Sequence, residues 1–219
     1  MPIPKSKIPD AAVRRLPVYL RALEDSMSEC SVVTSSVDLS ARTGFTPEQI
    51  RKDLAYFGAF GTRGVGYDTA LLARRIRKIL GLSKGARIIL VGVGNLGTAF
   101  ARYNAAFPKD VRLMGAFDAD PDKFGHGVGG LVVRPAEDMY DYVQKEQIKV
   151  AVLAVPSEHA QGVAEGLERA GIEAILNFTP VKLRSGCYVQ NIDLSMELQS
   201  LVYYTTSGQR DDLKGKAEA

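Results

Sequence analysis

The feature that most narrows what this chain can fold into is the run Gly92-Val93-Gly94-Asn95-Leu96-Gly97. It follows a β-branched and aliphatic segment, residues 87–91. It precedes a stretch whose apolar residues keep helical spacing to about residue 107. G-x-G-x-x-G between a strand and a helix is the first turn of a dinucleotide-binding βαβ unit. Gly92 permits the tight turn, Gly94 lets the backbone approach a pyrophosphate, and Gly97 lets the helix pack on the strand. The helix N-terminus, with Asn95 and Leu96, then faces the phosphates. The run therefore predicts a Rossmann-like, doubly wound parallel sheet over residues 85–192.

Downstream residues fit the same scheme. A second strand over residues 111–117 ends in Asp118, which lies 21 residues after Gly97. That is near the spacing of the acid that takes the adenosine ribose hydroxyls. A carboxylate there repels a 2′-phosphate, so NAD(H) is favoured over NADP(H). Asp120 is a competing candidate. Residues 149–155 are nearly all apolar, as a buried parallel strand should be. Pro156 and Ser157 open a helix reaching about residue 170. The next strand, residues 172–177, ends in Asn177-Phe178-Thr179-Pro180. Ligands bind beyond the carboxyl ends of such strands. Pro156, Ser157, Asn177, Phe178 and Thr179 are thus candidates for a nicotinamide pocket, and each also reads as an ordinary βα-turn residue. Residues 188–194 form a last strand. The following helix, residues 195–207, is apolar at Met196, Leu198, Leu201 and Val202, with Tyr203 and Tyr204 adding bulk. It packs either on its own domain or against a second subunit. The tail, residues 209–219, carries six charges in eleven positions and is expected to be disordered.

Charge separates the N-terminal third from the rest. Residues 1–80 hold 13 Lys/Arg and 8 Asp/Glu, whereas residues 81–219 hold 15 and 17. A basic first domain suggests an anionic partner. Its helical patterns give that partner a shape. Val13, Leu16, Leu20 and Leu23 share one helical face, Ser36 starts a short helix, and Gly44 ends it. Thr46-Pro47-Glu48-Gln49 then reads as a capping box opening a helix that buries Ile50, Leu54 and Phe57. Gln49, Arg51 and Lys52 lie off that stripe near its start. This is a helix-turn-helix layout, whose second helix enters the major groove N-terminal end first. Gly58, Gly61, Gly64 and Gly66 break any helix and permit a hairpin, with Arg63 at its tip beside Gly64. The hairpin reads as the wing of a winged helix, with Arg63 placed for a minor groove. A glycine-rich linker is the plainer alternative. Thr46, Gln49, Arg51, Lys52, Arg63 and Gly64 are the candidate contacts to double-stranded DNA. A helix over residues 68–80 closes this domain.

Other classes are disfavoured. No run of 18 apolar residues is present, so no transmembrane helix is expected, and the first residues lack the apolar core of a secretion signal. Cys30 and Cys187 are too few for a disulfide framework, and with His126 and His159 they make no metal site. A reducing, cytoplasmic setting follows. An enzyme acting through NAD(H) needs a proton donor or acceptor near the hydride. His126 sits among glycines after the ribose acid, and only His159 is placed to reach the pocket. Tyr142 and Lys145 are one residue too close for a Tyr-x-x-x-Lys pair. The chain reads as a dinucleotide site without a use for the hydride, and hence as no enzyme.

Arg51-Lys52-Asp53-Leu54, Tyr56-Phe57-Gly58, Gly61-Thr62-Arg63-Gly64-Val65-Gly66-Tyr67, the glycine fingerprint, Asn177-Phe178-Thr179-Pro180 and the final apolar helix together resemble the Rex family of redox-sensing transcriptional repressors. The resemblance runs from about residue 8 to residue 207. It implies a homodimer in which a C-terminal helix, residues 193–208, is swapped between subunits. It implies an A/T-rich inverted-repeat operator, bound when NADH is low and released by NADH, with NAD⁺ competing for the same pocket. Respiratory and fermentative genes are what such a repressor controls. By the same resemblance Lys52 and Arg51 contact the major groove and phosphates, Arg63 enters the minor groove, and Arg21, Tyr103 and Asp193 are switch residues. Leu194 stands where the family can carry Phe. Two alternatives stay open: a small NAD-dependent oxidoreductase, and a winged-helix regulator of another nucleotide such as coenzyme A.

Overall fold

Apolar residues at helical spacing fold the first segment into α1 (Asp10–Ser28), which buries Leu16, Tyr19, Leu20 and Leu23. Pro17 lies inside α1 on its exposed side and does not end it. The computed structural model describes residues 8–58, 60–62, 64–106 and 110–206, and the chain divides into two units, residues 1–86 and 87–219.

In the first unit, the polar segment after α1 contains a short strand, β1 (Val33–Thr34). Helix α2 (Ser36–Thr43) follows. Its cap is Ser35, not Ser36. The Ser35 hydroxyl accepts from the Val37 and Asp38 N–H groups, and the Asp38 carboxylate accepts from the Ser35 N–H. Asp38 closes that box, which satisfies two otherwise orphaned N–H groups. Gly44, at φ +73°, ends the helix. In α3 (Pro47–Ala55), Thr46 Oγ1 accepts the Gln49 N–H at 3.2 Å. The Gln49 side chain does not return to complete the expected box, because it is bound to Asp53. Ile50 and Leu54 are buried as expected, while Phe57 is only partly covered.

The glycine-rich stretch returns to β2 (Tyr67–Asp68), which pairs antiparallel with β1. Gly66 is required there: its φ is +100°, and a Cβ would lie 2.6 Å from the Thr34 carbonyl. Helix α4 (Thr69–Ile79), capped by Asp68, packs on α1. Three packed helices, a recognition helix and a two-stranded wing make this unit a winged helix.

The second unit is a seven-stranded sheet. Its elements are β3 (Ala86–Val91), α5 (Asn95–Ala106), β4 (Val111–Asp118), β5 (Gly127–Val128), β6 (Leu131–Pro135), α6 (Met139–Glu146), β7 (Val150–Leu153), α7 (Ser157–Ala170), β8 (Ala174–Asn177), β9 (Tyr188–Asn191) and α8 (Leu194–Thr206). Strand order is β5-β6-β4-β3-β7-β8-β9. The pairs β4–β6, β3–β7, β7–β8 and β8–β9 are parallel, and β5–β6 is an antiparallel hairpin at the edge. Leaving that edge aside, the order is the doubly wound one, with its reversal between β3 and β7. Strand β3 is buried on both faces. Ile89 and Val91 enter one core with Phe117, Leu153 and Leu167, and Ile88 and Leu90 enter the other with Ala101, Ala116 and Val133. That is why its sequence is continuously apolar. The β5–β6 hairpin and α6 are absent from the reading by sequence pattern.

Helix α8 keeps Leu194, Met196, Leu198 and Leu201 between 56% and 64% exposed. The tail expected to be disordered lies outside the described residues. Among the described residues, no helix is long and apolar enough to cross a membrane, and no cluster of His, Cys, Asp and Glu is arranged to hold a metal.

Candidate functional site

At the carboxyl ends of β3, β4, β7 and β8 lies a cavity of about 1020 Å³, at the reversal of strand order. Gly92, Gly94, Asn95, Leu96, Asp118, Pro156, Phe178 and Thr179 line it. Gly92 has φ +92°, and a Cβ on it would sit 2.4 Å from the Ala154 carbonyl. Around Gly94 there is nothing within 4 Å of such an atom, so the turn offers bare backbone to the cavity. That is the cradle a pyrophosphate needs.

Two residues of the motifs stand behind the wall and not in it. Gly97 is buried, and a Cβ there would be 2.0 Å from the Gly92 carbonyl, so it packs the helix on the turn as the motif implies. Asn177 is fully buried. Its Nδ2 donates to the Val181 carbonyl and to Asn191 Oδ1, and its Oδ1 accepts from both the N–H and the hydroxyl of Thr179. Asn177 thus shapes the turn that presents Phe178 and Thr179. Ser157 is exposed and is not part of the lining.

Asp118 is buried at the end of β4. Its Oδ2 accepts from the Val93 N–H at 2.6 Å and from Lys123 Nζ at 3.1 Å, and its Oδ1 accepts from the Asp120 N–H at 2.9 Å. Burial pushes this carboxyl up. The two backbone donors and the Lys123 ammonium outweigh burial and hold it below the ordinary carboxylate value. Asp118 therefore ties the glycine-rich turn to β4 as well as facing the cavity. Lys123, which the sequence reading missed, also stands 3.6 Å from Asp120. Nothing in the motif marks it; only the 3₁₀ turn Pro121–Lys123 brings it back to the acid. Tyr140, Glu158 and His159 line the cavity too, whereas His126 does not.

On the winged helix, Lys52 is exposed in α3. Arg51 is exposed too, and its Nη1 donates to Ser36 Oγ at 2.7 Å, tying α3 to α2. The Thr46 hydroxyl caps α3, and the Gln49 amide donates to Asp53 at 2.7 Å. Gly64 is exposed in the wing, where it lines a second cavity of about 700 Å³ with Arg51 and Thr62. Arg63 lies outside the described residues. Arg21 is exposed on α1, and Tyr103 is 60% exposed on α5. Asp193 caps α8, with Oδ1 accepting from the Ser195 and Met196 N–H groups.

A winged helix with exposed basic residues on its recognition helix, carried on one chain with a glycine-lined cavity in a doubly wound sheet, defines a DNA-binding regulator with a nucleotide-sensing domain. Comparison with known proteins bears on which one. Residues 7–55 match the family model described as "Putative DNA-binding protein N-terminus", and residues 83–181 match "CoA binding domain". The "Redox-sensing transcriptional repressor Rex" of Natranaerobius thermophilus is 46% identical over 91% of this chain and 92% of its own length. "Redox-sensing transcriptional repressor Rex 1" of Thermotoga maritima is 43% identical over 90% and 95%. The solved structure of RSP, a Rex-family repressor, in complex with β-NAD⁺ and operator DNA matches with TM-score 0.85 and 36% identity, covering 98% of each chain. RSP with β-NADH matches with TM-score 0.81 and 35% identity, covering 97% of this chain and all of that one. The chain belongs to the Rex family of redox-sensing transcriptional repressors.

Proposed function

We propose that this protein is an NADH-responsive repressor of transcription. It binds an A/T-rich inverted-repeat operator as a homodimer when NADH is scarce relative to NAD⁺, and NADH releases it. The observation that carries this reading is the match, over nearly the whole chain, to a repressor solved both with NADH and with NAD⁺ plus operator DNA. As a repressor it works in the cytoplasm, on the chromosome.

In this account Gly92, Gly94, Asn95 and Leu96 receive the pyrophosphate, with Gly97 packing behind them. Asp118 receives the adenosine ribose, with Asp120 the competing candidate. Pro156, Phe178 and Thr179 surround the nicotinamide, held in shape by Asn177. Lys52, Arg51 and Thr46 contact the major groove and phosphates, and Arg63, beside Gly64, enters the minor groove. The dimer forms through α8, whose apolar side chains are otherwise in water, swapped onto the partner. That leaves residues 1–80 as the DNA-binding domain, 85–192 as the ligand domain and 193–208 as the dimerisation helix.

NADH and NAD⁺ differ by one charge on the ring and by its shape. A ligand moves a conformational equilibrium only through its differential affinity for the two states. Arg21, Tyr103 and Asp193 are the residues assigned to feel that difference. Two half-sites must keep the spacing set by the DNA turn, so a small shift of the two winged helices misaligns both at once. A coupling of about 1–3 kcal/mol is typical, and DNA and NADH then weaken each other equally.

Two observations favour other readings. His159 lines the cavity, where an oxidoreductase would keep a proton donor, but among the described residues no side chain hydrogen-bonds to its ring to orient it. The family description over residues 83–181 names coenzyme A. Coenzyme A carries a 3′-phosphate on its ribose, and the carboxylates of Asp118 and Asp120 favour a free diol.

The test is DNA binding by Lys52→Ala and Arg63→Ala proteins. Both should lose affinity for an inverted-repeat duplex and keep their affinity for NADH. Loss of NADH binding in either would overturn the division of labour between the two domains.

A further inference from the structure

Gln49 and Asp53 stand one turn apart on α3, and the contact between them fixes what Gln49 can present to DNA. Asp53 is fully buried. Its Oδ2 accepts from Arg15 Nε at 2.6 Å and from the Tyr19 hydroxyl at 2.7 Å. Its Oδ1 accepts from Arg15 Nη2 at 2.8 Å and from Gln49 Nε2 at 2.7 Å. The surroundings hold this cluster in place. The Arg15 guanidinium lies 5.7 Å from the centroid of the Phe45 ring, and Phe45 meets Tyr19 edge-on at 5.8 Å.

An ionised carboxylate only accepts hydrogen bonds. The amide nitrogen of Gln49 must therefore face Asp53, and the opposite flip would set two oxygens against each other. The carbonyl oxygen is then turned away, beside the second N–H of the same amide. An acceptor next to a donor is the pair that matches N6–H and N7 on the major-groove edge of adenine. Gln49 is in the first turn of the recognition helix, the end that reaches base edges, and it is only partly buried.

We propose that Gln49 reads one adenine in each operator half-site and that Asp53 is the residue positioning its amide. The proposal rests on the DNA-binding reading above and adds a base to it. Lys52 and Arg51 supply charge, which attracts any sequence. Gln49 supplies discrimination at one position, and Asp53 supplies the fixed orientation that makes the discrimination sharp. The same carboxylate ties α3 to α1, so the reading edge is set by the helix core and not by the ligand.

The experiment starts from duplexes selected by the full-length protein from a pool with a random core. Each base pair of the selected half-site is then changed in turn, and affinity is read by fluorescence anisotropy. The unsubstituted protein should show an adenine whose replacement costs about tenfold. In Gln49→Ala that penalty should vanish at this position alone. Substituting 7-deazaadenine there, which removes N7, should cost the unsubstituted protein several-fold and Gln49→Ala nothing. Asp53→Asn should blunt the penalty at the same position and leave the others intact, with NADH affinity unchanged. Gln49→Glu cannot donate to Asp53, and it tests the contact without emptying the buried site. It should lose the preference for adenine and gain one for cytosine, whose N4–H donates. A uniform loss across all positions in Gln49→Ala, or an unaltered profile, would overturn the proposal. If the unsubstituted protein selects no duplex at all, the DNA-binding reading fails and the proposal with it.

Discussion

Each half of the molecule buries one aspartate that stays ionised, and the two are held by different means. Asp118, in the sheet, is held by two backbone N–H groups of neighbouring turns and by Lys123 from five residues on. Asp53, in the winged helix, is held entirely by side chains, from Arg15 and Tyr19 on another helix and from Gln49 on its own. Burial pushes both carboxyls up, and in both the donors more than offset it. In the same cluster, burial and the Asp53 hydrogen bond push the Tyr19 hydroxyl well above its ordinary value. Backbone donors come with the turn whatever the residues are, so a ligand site built on them keeps its shape across many sequences. Side-chain donors must all be present together. The winged helix therefore stakes its geometry on particular residues, and the sheet stakes its geometry on a loop.

The largest expected effect tests that distinction. Asp53→Ala strips the acceptor from Arg15, Tyr19 and Gln49 and leaves the Arg15 charge unpaired in a partly buried place. Breaking such a pair costs about 3–5 kcal/mol. Calorimetry should show the winged helix melting much earlier, with DNA binding lost and NADH affinity kept. A cost below about 1 kcal/mol, the value of a surface pair, would mean the network is ornamental. The glycine turn gives the next effect. Gly94→Ala meets open space and should leave the melting temperature unchanged, yet place a methyl where the pyrophosphate approaches. NADH affinity should fall at least tenfold, about 1.4 kcal/mol. Gly97→Ala, facing the Gly92 carbonyl, should instead lower the melting temperature. Equal behaviour of the two variants would collapse the distinction between cradle and packing glycine.

Smaller effects sharpen the comparison. Asp118→Ala should weaken NADH binding several-fold while DNA binding by the free protein stays the same. Unchanged NADH affinity would move the ribose role to Asp120. Acid should affect both halves in the same direction. Each carboxyl titrates lower when folded than its ordinary value, so the unfolded chain binds more protons in that range. The stability they contribute is complete above about pH 4–5 and drains away as pH falls through the depressed values. Unfolding followed by a probe in the winged helix should lose part of this acid slope in Asp53→Asn but not in Asp118→Asn. The reverse assignment would refute the pairing of each aspartate with its unit.

The same contrast explains what could be read from the chain alone. Asp118 was legible because a motif and a spacing announce it. The doubly wound sheet was legible because strands buried on both faces are continuously apolar. The recognition helix was legible from Thr46, Pro47 and the stripe of Ile50 and Leu54. Asp53 was not, since Tyr19 and Arg15 lie 34 and 38 residues away and only packing joins them to it. Strand β1 was hidden in a polar run because it pairs only with β2, Val33 with Asp68 and Thr34 with Tyr67, after the wing has closed. The β5 strand has only two residues, too few for an alternation to show. Asn177 was placed at the ligand by its position along the chain. Direction decided otherwise, because its amide is taken up by Val181, Asn191 and Thr179. Gly97 was read as a packing glycine, and a side chain there would collide with the turn.

The central claim is that one chain couples DNA at its winged helix to the redox state of a nicotinamide in its sheet. The direct test is fluorescence anisotropy of a labelled inverted-repeat duplex with the full-length protein, titrated separately with NADH and NAD⁺. The account predicts release by NADH at concentrations far below those at which NAD⁺ has any effect, with the duplex weakening NADH binding by the same factor. Tight DNA binding indifferent to NADH would contradict it.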